Sequence, residues 1–266
     1  MPGRVRLDRA LSKLGTASRS RALALIRDGK VTIAGRVVRD PGQIVVPETA
    51  AIAVEGRAVR QGAWRTIALH KPRGTVTTRH DPAGRRTVFD VIGSAADGLV
   101  TVGRLDMAST GLLLLTTDTR LAAWLTDPAN AVVRRYIVTA RGDVTDEAAR
   151  RMTTGVGDLR AASVAVRKRS RRETHLEIAL TEGRNREIRR LLAACGHEVT
   201  RLLRVAYGAI ELGSLEPGSW RPVTRSEISA AFGPDCDAWI DRGPATDVRR
   251  TSGKRRGSES PASRRR

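Results

Sequence analysis

Residues 103–118 read GRLDMASTGLLLLTTD, and the fold turns on this stretch. Leu112 to Leu115 form an unbroken apolar run, the pattern of a strand buried on both faces. The polar residues ahead of it then stand at the entrance of a rigid element, where functional groups are best held. One carboxylate, Asp106, lies there two positions after the guanidinium of Arg104. Two readings of this pair are open. It is a structural ion pair, or it belongs to a site.

The charge of the chain says what kind of partner to expect. A net charge of +20 and a pI near 11.5 point to a polyanion. Arginine far outnumbers lysine, and its planar fork suits phosphates while its face stacks on unpaired bases. No long apolar span, signal peptide or basic amphipathic anchor is visible, so a membrane partner is not expected and a cytoplasmic location is. Cys195 and Cys236 are isolated, and His70, His80, His175 and His197 are scattered without ligand spacing. Neither a metal site nor a disulfide framework is expected.

The 266 residues divide into three regions by composition. Residues 1–60 alternate short helical and strand patterns, residues 61–232 are richer in strands, and residues 243–266 are basic and almost without apolar side chains. That tail lacks the apolar surface to order itself and is expected to be disordered.

In the first region Leu7, Ala10, Leu11 and Leu14 recur at helical spacing and Gly15 follows as a stop. Ser18 is placed to cap a second helix carrying Ala22, Leu25 and Ile26, closed by Gly29. Two short β runs then flank a turn at Ala34-Gly35. This composite, RLDRALSKLG, ASRSRALALIRDGKV and IAGRVVRDPG, resembles the S-four RNA-binding domain. The resemblance implies RNA contacts from the second helix and adjoining turn, here Ser18, Arg19, Arg21 and Lys30.

Three further stretches accompany the opening one. In LHKPRG, residues 69–74, Pro72 and Gly74 punctuate a strand exit, and Lys71 and Arg73 supply charge. In RRYIV, residues 134–138, Tyr136 and Val138 share one strand face. In EGRNREIRRLLAACG, residues 182–196, Ile188, Leu191, Leu192 and Cys195 make an apolar helix face. Arg186, Arg189 and Arg190 lie off that stripe near the helix start. Cations there oppose the helix dipole and suggest that an anion fills the position.

Together with the run RLLRVAYGAIELGSLEPGSWRPVTRSEI, these stretches resemble, in order, the RsuA-type family of ribosomal RNA pseudouridine synthases. The resemblance implies an α+β fold: an S-four module beside a catalytic domain with a mixed, mainly antiparallel sheet and a cleft across its centre. It implies a monomer that isomerises a uridine of ribosomal RNA without a cofactor. It gives Asp106 the part of the carboxylate that opens the glycosidic bond, as nucleophile or as base at the ribose. Tyr136 becomes the aromatic against the base, Arg189 the cation that pairs with Asp106, and Ile188 an apolar wall. Arg104, Arg184, Asn185 and Arg186, with Lys71 and Arg73, become RNA contacts.

The match is not uniform. Ala108 stands where members commonly carry an acidic residue, Thr117-Asp118-Thr119 lacks a usual turn glycine, and Glu187 replaces a usual glutamine. The form GRNREIRR resembles enzymes of the large ribosomal subunit more than the small-subunit type. A catalytically idle ribosome-assembly factor on the same fold, or action on the small subunit, are the competing readings.

Overall fold

A computed structural model describes residues 4–17, 19–47, 49–59, 63–233 and 236. Ser18 and the tail at 243–266 lie outside them.

The first part is a small unit around its own apolar core of Leu7, Ala10, Leu11, Ala22, Leu25, Ile26, Val31, Val45 and Ile52. Strand β1 (Val5–Arg6) leads into α1 (Leu7–Lys13), and α2 (Arg19–Arg27) packs beside it. Strands β2 (Val31–Ile33), β3 (Arg36–Val37), β4 (Ile44–Val45), β5 (Ile52–Val54) and β6 (Arg57–Ala58) follow. They form a sheet in the order β3-β2-β5-β6, while β4 pairs with β1. The β2–β3 turn falls at Ala34 and Gly35, both with positive φ (48° and 80°), which matches the twist of a tight hairpin.

The second part is built on one nine-stranded sheet. Its elements are β7 (Thr66–Lys71), α3 (Val88–Ile92), β8 (Val100–Thr101), β9 (Thr110–Thr116), α4 (Thr119–Thr126), β10 (Arg134–Arg141) and α5 (Asp146–Thr154). There follow β11 (Ser163–Arg169), β12 (Glu173–Leu180), α6 (Glu187–Ala194), β13 (Val199–Tyr207), β14 (Ile210–Glu211), β15 (Trp220–Val223) and α7 (Arg225–Phe232). The strand order is β11-β12-β10-β13-β9-β7-β15, with β8 on β9 and β14 on β13. Every pairing is antiparallel except β13 with β9. The fold is α+β with a mixed, mainly antiparallel sheet.

The leucine run lies in β9 and is buried on both faces. Leu113 and Leu115 join the core with Tyr136, Val138, Ile188, Leu191 and Leu192 under α3, α5 and α6. Leu112 and Leu114 face the other way, into a core with Leu121, Leu125, Tyr207 and Ile228 under α4 and α7. Burying one such leucine contributes about 1.5–3 kcal/mol, so the run ties both helical layers to one strand. The missing turn glycine after it has a simple explanation. Asp118 caps α4, its Oδ1 accepting the backbone N–H of Arg120 at 2.9 Å and of Leu121 at 3.1 Å. The chain leaves β9 directly into a helix.

The parallel contact is short, Leu203 against Thr110 and Arg204 against Gly111. It is also very close. A Cβ on Gly111, whose φ is +107°, would lie 2.3 Å from the carbonyl oxygen of Arg204 and 2.6 Å from its nitrogen. Only glycine fits there. Gly111→Ala is expected to cost about 3 kcal/mol of unfolding free energy, as a backbone clash at a positive φ. Urea unfolding of the two proteins measures it, and a difference within about 0.5 kcal/mol would show that β13 yields freely.

Candidate active site

The register of the central strands builds a pocket. Tyr136 on β10 lies opposite Ile178 on β12 and Arg204 on β13, and Arg134 lies opposite Leu180 and Tyr207. Directly paired residues share a sheet face. Arg204 and Tyr207 are three apart, so a regular strand would put them on opposite faces. The pairing shifts between Arg135 and Tyr136, passing over Val205, and Arg204 and Tyr207 both border one cavity. Arg134, Tyr136, Leu180, Leu202, Arg204 and Tyr207 then form the floor of a cavity of about 330 Å³.

One wall is the loop 103–109, which enters β9 and carries Asp106. Buried Lys71, 0% exposed, holds this loop from below by donating to the carbonyls of Ser109 (2.8 Å) and Pro72 (3.1 Å). Gly74 N–H donates to the Met107 carbonyl at 2.8 Å, and Ser109 N–H to that of Asp106 at 3.0 Å. The opposite wall is the segment 183–189 at the start of α6. Asp106 is 33% exposed and faces the cavity, its Oδ2 at 3.9 Å from Nη1 of Arg186.

The floor is cationic yet buried. Arg134 is 5% exposed and donates to the carbonyls of Thr181 (2.7 Å), Glu182 (2.8 Å) and Leu125 (3.0 Å) and to the Tyr207 hydroxyl (2.9 Å). Arg204 is 3% exposed; its Nε donates to Leu112 O at 2.6 Å, and Nη2 is buried without a hydrogen-bond partner among the described residues. Both guanidiniums lie over the Tyr207 ring, at 4.9 and 5.2 Å. Burial pushes Lys71 down from its ordinary 10.5 to about 8; Asp106 opposes this shift and Arg204 adds to it. Burial likewise raises Glu187, one of whose oxygens accepts the backbone N–H of Arg184 at 3.1 Å. Among the described residues no group of His, Cys, Asp and Glu side chains could hold a metal ion.

The comparisons with known proteins agree with this construction. The family described as RNA pseudouridylate synthase matches residues 65–194, and the S4 domain matches residues 5–49. An uncharacterized RNA pseudouridine synthase of Aquifex aeolicus is 36% identical over 233 residues, 86% of this chain and 94% of its own length. The chain belongs to the RsuA-type family of RNA pseudouridine synthases. Another relative, the ribosomal large subunit pseudouridine synthase B of Vibrio cholerae, is 37% identical over 235 residues, 84% of this chain and 73% of its own. A solved structure of a pseudouridylate synthase superposes with a TM-score of 0.59 at 28% identity, covering 85% of this chain and 98% of that one.

In this synthase Asp106, Tyr136, Ile188 and Arg189 line one cavity together with Arg104, Arg184, Asn185 and Arg186. Two expectations need correcting. Arg189 does not pair with Asp106; it sits one position past Ile188 inside α6, half-buried, and donates to Val199 O at 2.9 Å, while Arg186 makes the ion pair. Lys71 is no RNA contact, because it is wholly enclosed beneath the loop it supports. Arg184, which lines the cavity, pairs with Glu182 and, at 2.8 Å, Asp158. Arg73 is exposed as expected. In the S-four module Arg19 reaches Asp8 at 3.9 Å, Lys30 pairs with Glu55 at 2.9 Å, and Arg21 is exposed.

Sequence reasoning passed over Arg134, Arg204, Tyr207 and Ser109. The available signal was a lone arginine inside the apolar run LLRVAY, since charges rarely enter a central strand without a purpose.

The Lys71 shift has a consequence for stability. Between pH 8 and 10.5 the unfolded chain holds a proton at this position that the folded one has released, so folding gains as pH rises through that window. Relative to Lys71→Met, the wild-type protein is expected to gain stability from about pH 7 to about pH 10, read as a widening shift of urea midpoints toward wild type. A pH-independent difference would show that Lys71 does not titrate there.

Proposed function

We propose that the enzyme converts a specific uridine of large-subunit ribosomal RNA to pseudouridine, with Asp106 as the carboxylate that opens the glycosidic bond. The observation carrying this reading is the placement of Asp106 on a braced loop, facing a pocket floored by Tyr136 and buried guanidiniums. The large-subunit choice rests on the relatives of Vibrio cholerae and Yersinia pestis, both described as ribosomal large subunit pseudouridine synthase B.

The chemistry suits these residue types. The C1′–N1 bond breaks, the base turns, C1′ bonds to C5, the C5 proton leaves and N1 ends protonated. Neither an oxidant nor an energy source enters that balance. A uridine in folded RNA must first leave its stack, at a cost of a few kcal/mol. Contacts of Arg73, Arg104 and Arg186 with the backbone offset that cost, and the flipped base packs on Tyr136 and Ile188. Arg189 supplies positive charge near Asp106 from inside α6, and Asn185 lines the rim.

We read residues 1–60 as the module that grips RNA, with Arg19, Arg21 and Lys30 toward the backbone, and residues 61–232 as the catalytic domain. The enzyme works as a cytoplasmic monomer. No helix among the described residues is long and apolar enough to cross a membrane.

Asp106→Asn keeps the shape of the side chain and removes its nucleophilic or basic oxygen. Isomerisation is expected to fall by roughly a thousandfold or more while RNA binding persists. The decisive experiment maps pseudouridine in ribosomal RNA from cells with and without the gene, then with the Asp106→Asn allele. Loss of one large-subunit pseudouridine in both deficient strains is the expected result. An unchanged map would sink the proposal.

A further inference from the structure

The helix that carries the second wall begins in an unusual way. Thr87, Asp118, Thr145 and Thr224 cap their helices with extended backbone and a side-chain oxygen that accepts a backbone N–H. Arg186 does neither. It takes the left-handed conformation, φ 50° and ψ 33°, and offers no side-chain cap to α6. Positive φ is costly for a non-glycine residue and persists where surroundings impose it, commonly at functional sites. Its carbonyl accepts the Arg190 N–H at 2.9 Å as any helix start does, while its side chain, free of a capping role, reaches across the pocket to Asp106.

The contact it makes is weak and badly placed for a resting state that must react. Arg186 is 54% exposed and its nearest nitrogen stands 3.9 Å from the carboxylate. Ion pairs so open to water hold little. A reacting ribose must come within about 3–3.5 Å of the attacking oxygen, and the guanidinium stands beside one of the two carboxylate oxygens, Oδ2. Asp106 is not left without cations if Arg186 leaves, because Lys71 and Arg189 are both close enough to interact with it electrostatically. A phosphodiester, by contrast, offers Arg186 two oxygens in a geometry that its fork matches.

We infer that Arg186 is a positioning residue that closes on Asp106 in the RNA-free enzyme and transfers to a backbone phosphate when RNA arrives, clearing the carboxylate for the ribose. This rests on the functional reading above and assigns the order in which its groups engage. The exchange couples Asp106 to RNA affinity through Arg186, since the carboxylate and the phosphate compete for one guanidinium.

A double-mutant cycle on binding tests the coupling without requiring turnover. The affinity of wild type, Asp106→Asn, Arg186→Gln and the double variant for a fluorescently labelled oligouridine is measured at one salt concentration. Removing the carboxylate is expected to tighten binding at least about threefold more when Arg186 is intact than in the Arg186→Gln background, the size of an ordinary pairwise coupling. Equal gains in both backgrounds would mean only a general electrostatic effect and would overturn the exchange. Circular dichroism confirms that each variant is folded, and Arg186→Lys, which keeps the charge, is expected to restore part of the coupling. Because the readout is binding, an enzyme that failed to isomerise any uridine would refute the functional reading and leave this result standing on its own.

Discussion

Gly111 lies directly against the backbone of Arg204, and the site depends on that approach. Strands β7, β9 and β15 form one antiparallel group, and β10 to β13 form another. Among the described residues the two groups pair directly only along the short parallel contact of β9 with β13. That contact sets the loop bearing Asp106, which runs into β9, beside the strands bearing Tyr136 and Arg204. A side chain at position 111 would force these strands apart, since no Cβ tolerates a carbonyl oxygen at 2.3 Å. The carboxylate and the floor of its pocket would then no longer share one cavity.

The cations beneath that cavity are held by an arrangement that stability alone does not favour. Lys71, Arg134 and Arg204 are buried, and their hydrogen bonds go to carbonyl oxygens and a phenol. Desolvating a cation is expensive, and dipoles repay less of that than an opposite charge does. Apolar residues of similar volume would fill the same space at lower cost. What the cations provide is a fixed positive field under a pocket meant for a polyanion, already oriented before any substrate enters. Asp106 is the carboxylate set against that field on the loop side, with Glu187 on the other wall turned to the backbone of Arg184.

The legible parts of this arrangement were those written in single residues and simple periods. The run Leu112–Leu115 declared a doubly buried strand, and the family resemblance implied one pocket for Asp106, Tyr136 and Ile188. The rest arises from geometry that a period does not encode. A one-residue bulge at Val205 breaks the strand's period, and Arg204 and Tyr207 border one cavity that regular alternation would not have joined. Lys71 reads as surface charge beside Pro72 and Arg73, yet the loop folded over it makes it a brace. The left-handed Arg186, not Arg189, makes the ion pair with Asp106, because the helix starts at Glu187 and leaves Arg186 outside its regular face. Ser18 and residues 243–266 fall outside the described residues.

Net charge indicates the partner class, but it overstates the charge ready to meet RNA. Arg19, Lys30, Arg184 and Arg190 are already engaged with Asp8, Glu55, Glu182 and Asp158. Arg73 and Arg104, beside the pocket, form no ion pair among the described residues. An RNA phosphate that takes an engaged arginine displaces a carboxylate, whereas one that meets Arg73 or Arg104 displaces a mobile ion. Only the second kind of contact releases counterions and adds to the salt dependence of binding. The salt dependence of affinity should therefore follow the unpaired arginines around the cavity, not the formal +20 of the whole chain.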